Sequence, residues 1–236
     1  MFLYEYKMER GIAMDSRVES YFDDIKGKKI AFLGIGGSNL PLAKIFRQKG
    51  AIVFACDKRE KEQLGKTGEE LEQMGITLKL GEHYLEQLDV DMMFRTPGMR
   101  FHTKELEQAR EKGIVVTSEM EVFFDLCPCP IYAVTGSDGK TTTTTIISEF
   151  LKAAGKRIHL GGNIGTPLLP EIEQIDTNDV AVVELSSFQL ISMRRSPKVA
   201  VVTNLVQTIK DLKEKGFWAV GADAHDAKDY REGQYD

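Results

Sequence analysis

The sequence predicts an α/β protein with two parallel sheets that follow one another along the chain. Short apolar runs alternate with longer amphipathic segments, which is the pattern of strands joined by crossover helices. Two of the apolar runs end in glycine-bearing turns that lead directly into a helical pattern, as phosphate-binding turns do in such sheets. A proline-bearing connector at residues 126–130 separates two series of alternation, so we place a domain boundary between residues 128 and 129.

The first series, residues 1–128, predicts a Rossmann-like parallel sheet. Its strands are expected at short apolar runs, and its helices at the charged amphipathic segments between them. The expected strands are residues 29–33, 51–55, 76–80, 90–94 and 114–117, and the expected helices are residues 39–48, 59–74 and 103–112.

The second series, residues 129–236, predicts a truncated α/β domain of the P-loop ATPase type. Its expected strands are residues 131–135, 180–184 and 199–204, and its expected helix is residues 140–154. The strand at residues 131–135 leads into the loop and then into this helix, which is the order that a P-loop requires.

The composition is that of a globular protein and excludes several classes. A length of 236 residues allows two ordinary domains, and the net charge of −5 disfavours a general nucleic-acid binder. No apolar run approaches the roughly 20 residues that cross a bilayer, and the start does not have the pattern of a signal peptide. Three cysteines form no disulfide framework, and a single Cys127-Pro128-Cys129 motif is a poor zinc site. We expect a cytoplasmic protein without a membrane or nucleic-acid partner.

The loop after residue 135 has the pattern of an ATP-binding loop. A strand that ends in a glycine-bearing loop and opens a helix directs several backbone N–H groups at one point, and the helix dipole adds positive potential there. Lys140 can reach the outer phosphates, and the Thr141 hydroxyl can bind Mg²⁺. The longer P-loop pattern would place glycine at Val134. The predicted ATP-binding residues are Gly136, Ser137, Asp138, Gly139, Lys140, Thr141 and Thr142.

The first glycine turn predicts a second phosphate site. It follows a strand, it precedes a helix, and Asp57 lies about 20 residues further on, where a ribose-binding acid is expected. Taken alone this pattern suggests NAD, but Asn39 occupies the third glycine position of the dinucleotide fingerprint. The turn therefore favours a nucleotide or a sugar-nucleotide diphosphate. The predicted contacts from this half are Gly34, Gly36, Ser38, Asn39, Asp57, Thr96, Pro97 and Gly98.

Together these motifs resemble those of the Mur ligases, and within them the branch that adds D-glutamate to UDP-N-acetylmuramoyl-L-alanine. The resemblance covers residues from about 15 to 205 and is specific in combination, although each glycine turn alone would be weak. It rests on residues 34–39, 95–98, 117–121, 136–142, 161–165 and 184–189.

The resemblance implies an ATP-dependent amide ligase of peptidoglycan precursor synthesis, which works through an acyl phosphate. It implies that the first domain binds the UDP of the substrate and that the second binds ATP with Mg²⁺. Lys140 and Glu184 would be catalytic, since phosphoryl transfer needs positioning and charge neutralisation. Thr141 and Glu184 would hold the metal ion. Further substrate contacts would come from Asn163, Ser186 and Gln189.

Beyond residue 205 the sequence departs from the family pattern. The family continues with an Asp-His-Leu-Asp motif, a further histidine, a carbamylated lysine and a C-terminal domain that binds the incoming amino acid, and residues 206–236 do not match this pattern. Instead, the spacing of Ile209, Leu212 and Phe217 predicts a short helix, followed by a strand at residues 217–220. Residues 201–229 also resemble a fragment of the SpoU-type rRNA ribose methyltransferases, from which we infer no such activity.

Several functions remain open at this stage. We expect a ligase that is incomplete in this chain, and the alternative is a non-catalytic fragment or hybrid protein that binds a UDP-sugar or ATP. A dehydrogenase is disfavoured by Asn39 and by the lysine-bearing second loop, and RNA modification is disfavoured by the acidic charge.

Overall fold

The computed structural model describes residues 15–204 and Lys210, and it confirms an α/β fold with parallel sheets. The first sheet has five strands in the order β3-β2-β1-β4-β5, and every adjacent pair is parallel. The order reverses between β1 and β4, and ligands of such sheets bind in the crevice beyond the carboxyl ends of those strands. The strands are β1 Lys29–Leu33, β2 Ile52–Asp57, β3 Thr77–Leu80, β4 Met92–Arg95 and β5 Val115–Thr117.

The helices of the first half differ from the prediction in two places. The single helix expected at residues 59–74 is two helices, because Gly65 between them adopts a φ of 52°. Helices at both ends of this half were not predicted, and the second of them is capped by Ser118, which accepts from the Glu121 N–H. The helices are α1 Ser16–Asp24, α2 Asn39–Gln48, α3 Lys61–Leu64, α4 Lys66–Gln73, α5 Lys104–Glu111 and α6 Glu119–Leu126.

The second sheet has four parallel strands in the order β7-β8-β6-β9. The three predicted strands and the long helix are confirmed, and β7 was missed because its sequence IHLGG is short and ends in two glycines. In chain order the elements are β6 Ile131–Gly136, α7 Lys140–Ala153, β7 Ile158–Gly162, a 3₁₀ helix Leu169–Gln174, β8 Val180–Glu184, α8 Ser187–Leu190 and β9 Val199–Thr203.

One apolar cluster extends through both halves. In the first half Phe32, Phe46 and Phe94 pack ring against ring, with centroids 5.0–5.4 Å apart. The same cluster includes residues of the second sheet and of the 3₁₀ helix. Lys49 and Glu173 form an ion pair of 2.7 Å across the junction. The boundary at residues 128 and 129 falls between α6 and β6, and it stays a prediction.

Two further sequence-based expectations concern the C-terminal segment and membrane-spanning helices. The predicted helix with Ile209, Leu212 and Phe217, and the strand at residues 217–220, lie outside the described residues, as does most of the segment that resembles a methyltransferase. Within residues 15–204, we find no helix that combines the length and the apolar character needed to span a bilayer.

Candidate functional site

The backbone of the second glycine loop has the geometry of a phosphate-binding loop. β6 ends at Gly136, and α7 begins at Lys140 after Gly139, which adopts a left-handed φ of 75°. Gly136 has a φ of 140°, and a Cβ at this position would lie 2.2 Å from the Thr203 carbonyl oxygen. Glycine is therefore required where the loop passes β9. The free N–H groups of the first turn of α7 and its dipole favour an anion at this end.

Lys140 lies folded over this loop. Its Nζ donates to the Gly136 carbonyl at 2.6 Å and to the Ser137 carbonyl at 3.0 Å. The ammonium group is thus at the loop, close to where the outer phosphates of a bound nucleotide are predicted.

Glu184 brings three predicted residues together. Its carboxylate accepts from the Thr141 hydroxyl at 2.7 Å and from the Asn163 amide at 3.0 Å, and the residue is 2% exposed. The register that pairs Val134 with Glu184 places this carboxylate beside the loop. A hydroxyl and a carboxylate are hard oxygen ligands of the kind that Mg²⁺ takes alongside phosphates and water. These residues therefore fit a Mg²⁺ ion that a nucleotide also binds.

The threonine run of α7 separates into two roles. Thr142 is exposed in the first turn, where a ligand contact stays a prediction. Thr144 and Thr145 donate to the carbonyls of Lys140 and Thr141, both at 2.8 Å. They are ordinary helix residues, as expected from the sequence.

A cleft of about 500 Å³ lies at the carboxyl ends of the first sheet. Five of the predicted contacts line it, and Lys58, Arg59 and Tyr84, which were not predicted, line it as well. Lys58 adds positive charge that suits a diphosphate, whereas the charge of Arg59 is paired with that of Asp57. The five predicted contacts are Gly34, Gly36, Asp57, Thr96 and Gly98.

Asp57 is already bound by groups of the protein. Its carboxylate accepts from the Ile35 N–H at 2.7 Å and from the Arg59 guanidinium at 2.8 and 2.9 Å. Burial raises the pKa of Asp57, but the hydrogen bonds from Arg59 and Ile35 outweigh burial and lower the pKa to about 2. The carboxylate therefore fixes the glycine turn, and its contact with a ribose stays a prediction.

We expect Asp57→Asn to destabilise the protein at pH 7 by about 2 kcal/mol, the range of hydrogen bonds to a charged group. The folded-state pKa lies below the ordinary value of 3.8. Stability from this carboxylate is therefore fully present above pH 3.8 and is lost as the pH falls towards 2. Urea unfolding of both proteins at several pH values would show a difference that shrinks in acid. A difference that is constant from pH 7 to pH 2.5 would contradict the assignment.

A second cleft, of about 300 Å³, lies between the two halves. It brings together Ser38 and Pro97 from the first half and Asn163 and Gln189 from the second, all of them predicted contacts. Glu119 also lines this cleft.

Two residues that were predicted to contact a ligand form hydrogen bonds within the protein. Asn39 is fully buried, and its amide donates to the carbonyls of Leu33, Gly34 and Phe94 at 3.1–3.3 Å. It joins the ends of β1 and β4 beneath the turn. Ser186 caps α8 by accepting from the Gln189 N–H. Ligand contacts of both residues stay predictions, and their geometry indicates that they position the neighbouring loops.

Glu119 is a buried carboxylate that the sequence analysis did not single out. It accepts from the N–H groups of Leu168 and Leu169, both at 2.9 Å, and so joins α6 to the start of the 3₁₀ helix. Burial raises the pKa of Glu119, and those two hydrogen bonds lower it only partly. Residues 117–121 were noted as a motif, but the partners of Glu119 lie about 50 residues away, so no local pattern could have shown what it binds.

The cysteines and histidines add no metal centre in the part that is described. Cys127 and Cys129 are buried thiols 3.5 Å apart, and no group of three or more His, Cys, Asp or Glu side chains suited to a metal occurs in this part. His159 bonds Asp179 at 2.7 Å in the core, which is a structural contact.

Comparisons with known proteins agree with this geometry. Residues 134–208 match the Mur ligase middle domain. The chain is 47% identical over 210 residues to UDP-N-acetylmuramoylalanine–D-glutamate ligase of Clostridium botulinum, covering 87% of this chain and 46% of that protein. The ligase of the same name from Acetivibrio thermocellus is 52% identical over 193 residues, covering 81% and 41%. The chain thus spans less than half the length of these relatives.

Among solved structures, UDP-N-acetylmuramate-alanine ligase MurC of Thermotoga maritima is 24% identical, with a TM-score of 0.46 over 79% of this chain and 44% of that chain. A murein peptide ligase of Psychrobacter arcticus is 22% identical, with a TM-score of 0.43 over 75% and 43%. The identity to the two D-glutamate ligases extends into both sheets, whereas the middle-domain match lies in the second sheet. Residues 134–208 of this chain thus match the Mur ligase middle domain, and over most of its length the chain is similar to the two D-glutamate ligases.

Proposed function

We propose that this chain provides the UDP-substrate site and the ATP·Mg²⁺ site of a ligase that adds D-glutamate to UDP-N-acetylmuramoyl-L-alanine. The observation that supports this most directly is the Thr141–Glu184–Asn163 cluster beside the lysine-bearing loop. Hydride transfer does not need such a cluster, whereas a hydroxyl and a carboxylate beside a lysine-bearing loop suit the Mg²⁺ ion that phosphoryl transfer from ATP uses.

In this proposal each half binds one nucleotide. Residues 1–128 hold the UDP in the 500 Å³ cleft, where Lys58 faces its phosphates. Residues 129–236 hold ATP on the loop from Gly136 to Thr141. The 300 Å³ cleft joins the two, so the sugar and peptide part of the substrate would extend through it towards the ATP loop.

The residues of the chain would act by positioning and by charge. When bound, ATP supplies the phosphoryl group that converts the substrate carboxylate into an acyl phosphate, with Mg²⁺ neutralising the phosphates. Lys140 would leave the two loop carbonyls and donate to the outer phosphate. Thr141 and Glu184 would hold the metal ion, and Asn163 keeps the Glu184 carboxylate oriented. We place this reaction in the cytoplasm, where its nucleotide substrates are made and where three free thiols are stable.

The test is a calorimetric titration of the purified chain with a non-hydrolysable ATP analogue and Mg²⁺, and separately with UDP-N-acetylmuramoyl-L-alanine. We expect saturable binding of each ligand. We also expect no D-glutamate-dependent phosphate release from ATP, since the motifs that follow residue 205 in the family are replaced here. Release of phosphate that depends on both substrates would show a complete ligase, and failure to bind either nucleotide would contradict the proposal.

A further inference from the structure

Arg95 is a buried cation that reaches from the first half of the protein into the second. It is the last residue of β4 and is only 1% exposed. Its Nη2 donates to the Ser192 hydroxyl at 2.6 Å and to the Phe188 carbonyl at 3.4 Å, both in the segment around α8. One side chain therefore connects the end of β4 to a helix of the other sheet.

The guanidinium of Arg95 has few alternatives to these acceptors. Its Nε has no hydrogen-bond partner among residues 15–204, and Glu121, whose charge raises the pKa of Arg95, forms no ion pair with it in this part of the chain. Nη1 reaches only the Met99 carbonyl, at 3.5 Å, and the group lies over the Phe101 ring. Burial outweighs the charge of Glu121 and lowers the pKa of Arg95. Loss of the Ser192 hydroxyl would leave the buried charge with the two longer bonds to the Phe188 and Met99 carbonyls, at 3.4 and 3.5 Å, which is costly.

The backbone on the first side of Arg95 belongs to the UDP cleft. The next residue, Thr96, lines this cleft and donates its N–H to the Leu33 carbonyl. A Cβ at Gly34 would lie 3.0 Å from the Thr96 methyl group, so the two loops are packed against each other. A ligand that shifts either loop must also shift the start of the Arg95 side chain.

The acceptors on the other side belong to the segment that follows the metal-binding carboxylate. Phe188 and Ser192 lie within eight residues of Glu184 along the chain. Between them, Gln189 lines the cleft that joins the two halves, and its side chain is fixed by the cap with Ser186. A displacement of this segment on ATP·Mg²⁺ binding would therefore act on the same guanidinium.

We propose that Arg95 is a positioning residue that couples the two nucleotide sites, so that occupation of one changes the affinity of the other. The coupling rests on the proposed function, because it requires that the chain binds both ligands. Arg95 favours arrangements in which the β4 loop and the α8 segment keep their present positions relative to each other. Linkage then requires each ligand to change the affinity of the other by the same factor.

The experiment is a calorimetric titration of UDP-N-acetylmuramoyl-L-alanine into the chain, alone and with saturating ATP analogue and Mg²⁺. For the unaltered chain we expect the two affinities to differ by about fivefold or more, a typical allosteric factor. Ser192→Ala removes the acceptor without touching either cleft, and it should reduce the ratio to below about twofold. Arg95→Lys should do the same, whereas Ser192→Thr, which keeps the hydroxyl, should retain the ratio.

Arg110→Lys is the matched control. Arg110 also lies over the Phe101 ring, at 4.1 Å, but its hydrogen bonds go to Glu107 and Phe101 within the first half. For the Arg110→Lys variant, the ratio of the affinities with and without the ATP analogue should equal that of the unaltered chain. Binding of both ligands with no coupling, or coupling that survives Ser192→Ala, would overturn the inference while leaving the proposed function intact. Failure to bind either ligand would overturn both.

Discussion

Replacing Lys140 by alanine is expected to weaken binding of an ATP analogue with Mg²⁺ by about 100-fold or more. Charge-assisted hydrogen bonds to phosphate are about twice as strong as neutral ones, and the loss of two of them, at about 1.5–3 kcal/mol each, corresponds to this factor. Affinity for UDP-N-acetylmuramoyl-L-alanine, measured without ATP, should change by less than about twofold, since within residues 15–204 the Lys140 ammonium donates to carbonyls of the second-sheet loop. Calorimetric titration of both ligands measures the two effects.

Lys152→Ala is the control for this variant. Lys152 lies near the other end of α7, where it forms an exposed pair with Glu149 at 2.8 Å. The Lys152→Ala variant should leave the affinities for the ATP analogue and for the UDP compound unchanged. If Lys140→Ala lost both ligands while its urea unfolding was normal, the assignment of two separate nucleotide sites would be wrong.

The parts of the fold that the sequence predicted well are those fixed by neighbours along the chain. The helix after the first glycine turn, Asn39–Gln48, was predicted with its observed bounds, because an apolar strand and glycines precede a clear amphipathic pattern. The helix that follows the second loop was predicted to within one residue for the same reason. By contrast, no helix was predicted at α6, and its last residue, Leu126, was placed in the proline-bearing connector at residues 126–130.

The site itself was predictable only in part, because its contacts cross the chain. The sequence placed Glu184 at a strand end, but it did not show that β8 lies next to β6, which brings the carboxylate to Thr141. Glu119 and Arg95 were not predicted as links between the halves, since their partners lie 49 or more residues away. Asn39 was predicted from its position in a turn, and only the structure shows that its amide is used by three backbone carbonyls.

Gly162→Ala is expected to destabilise the protein by about 3 kcal/mol or more and to abolish binding of ATP with Mg²⁺. Gly162 has a φ of 98°, and a Cβ would lie 2.1 Å from the Glu184 carbonyl oxygen. A non-glycine residue in this region costs about 1–2 kcal/mol, and the overlap adds about 1–3 kcal/mol. Because the overlap is with the backbone of Glu184, relief of the clash must displace the carboxylate that Thr141 and Asn163 hold.

Gly155→Ala separates the cost of backbone strain from the cost of steric overlap. Gly155 has a φ of 79°, but a Cβ there would meet nothing within 4 Å. It should therefore lose only about 1–2 kcal/mol from the strained backbone, and it should still bind the ATP analogue with Mg²⁺. Urea unfolding and calorimetric titration of both variants give the comparison. Equal destabilisation of the two variants, with nucleotide binding retained in Gly162→Ala, would show that β7 can move away from β8 without disturbing Glu184. The close approach of these strands would then not be what positions the carboxylate.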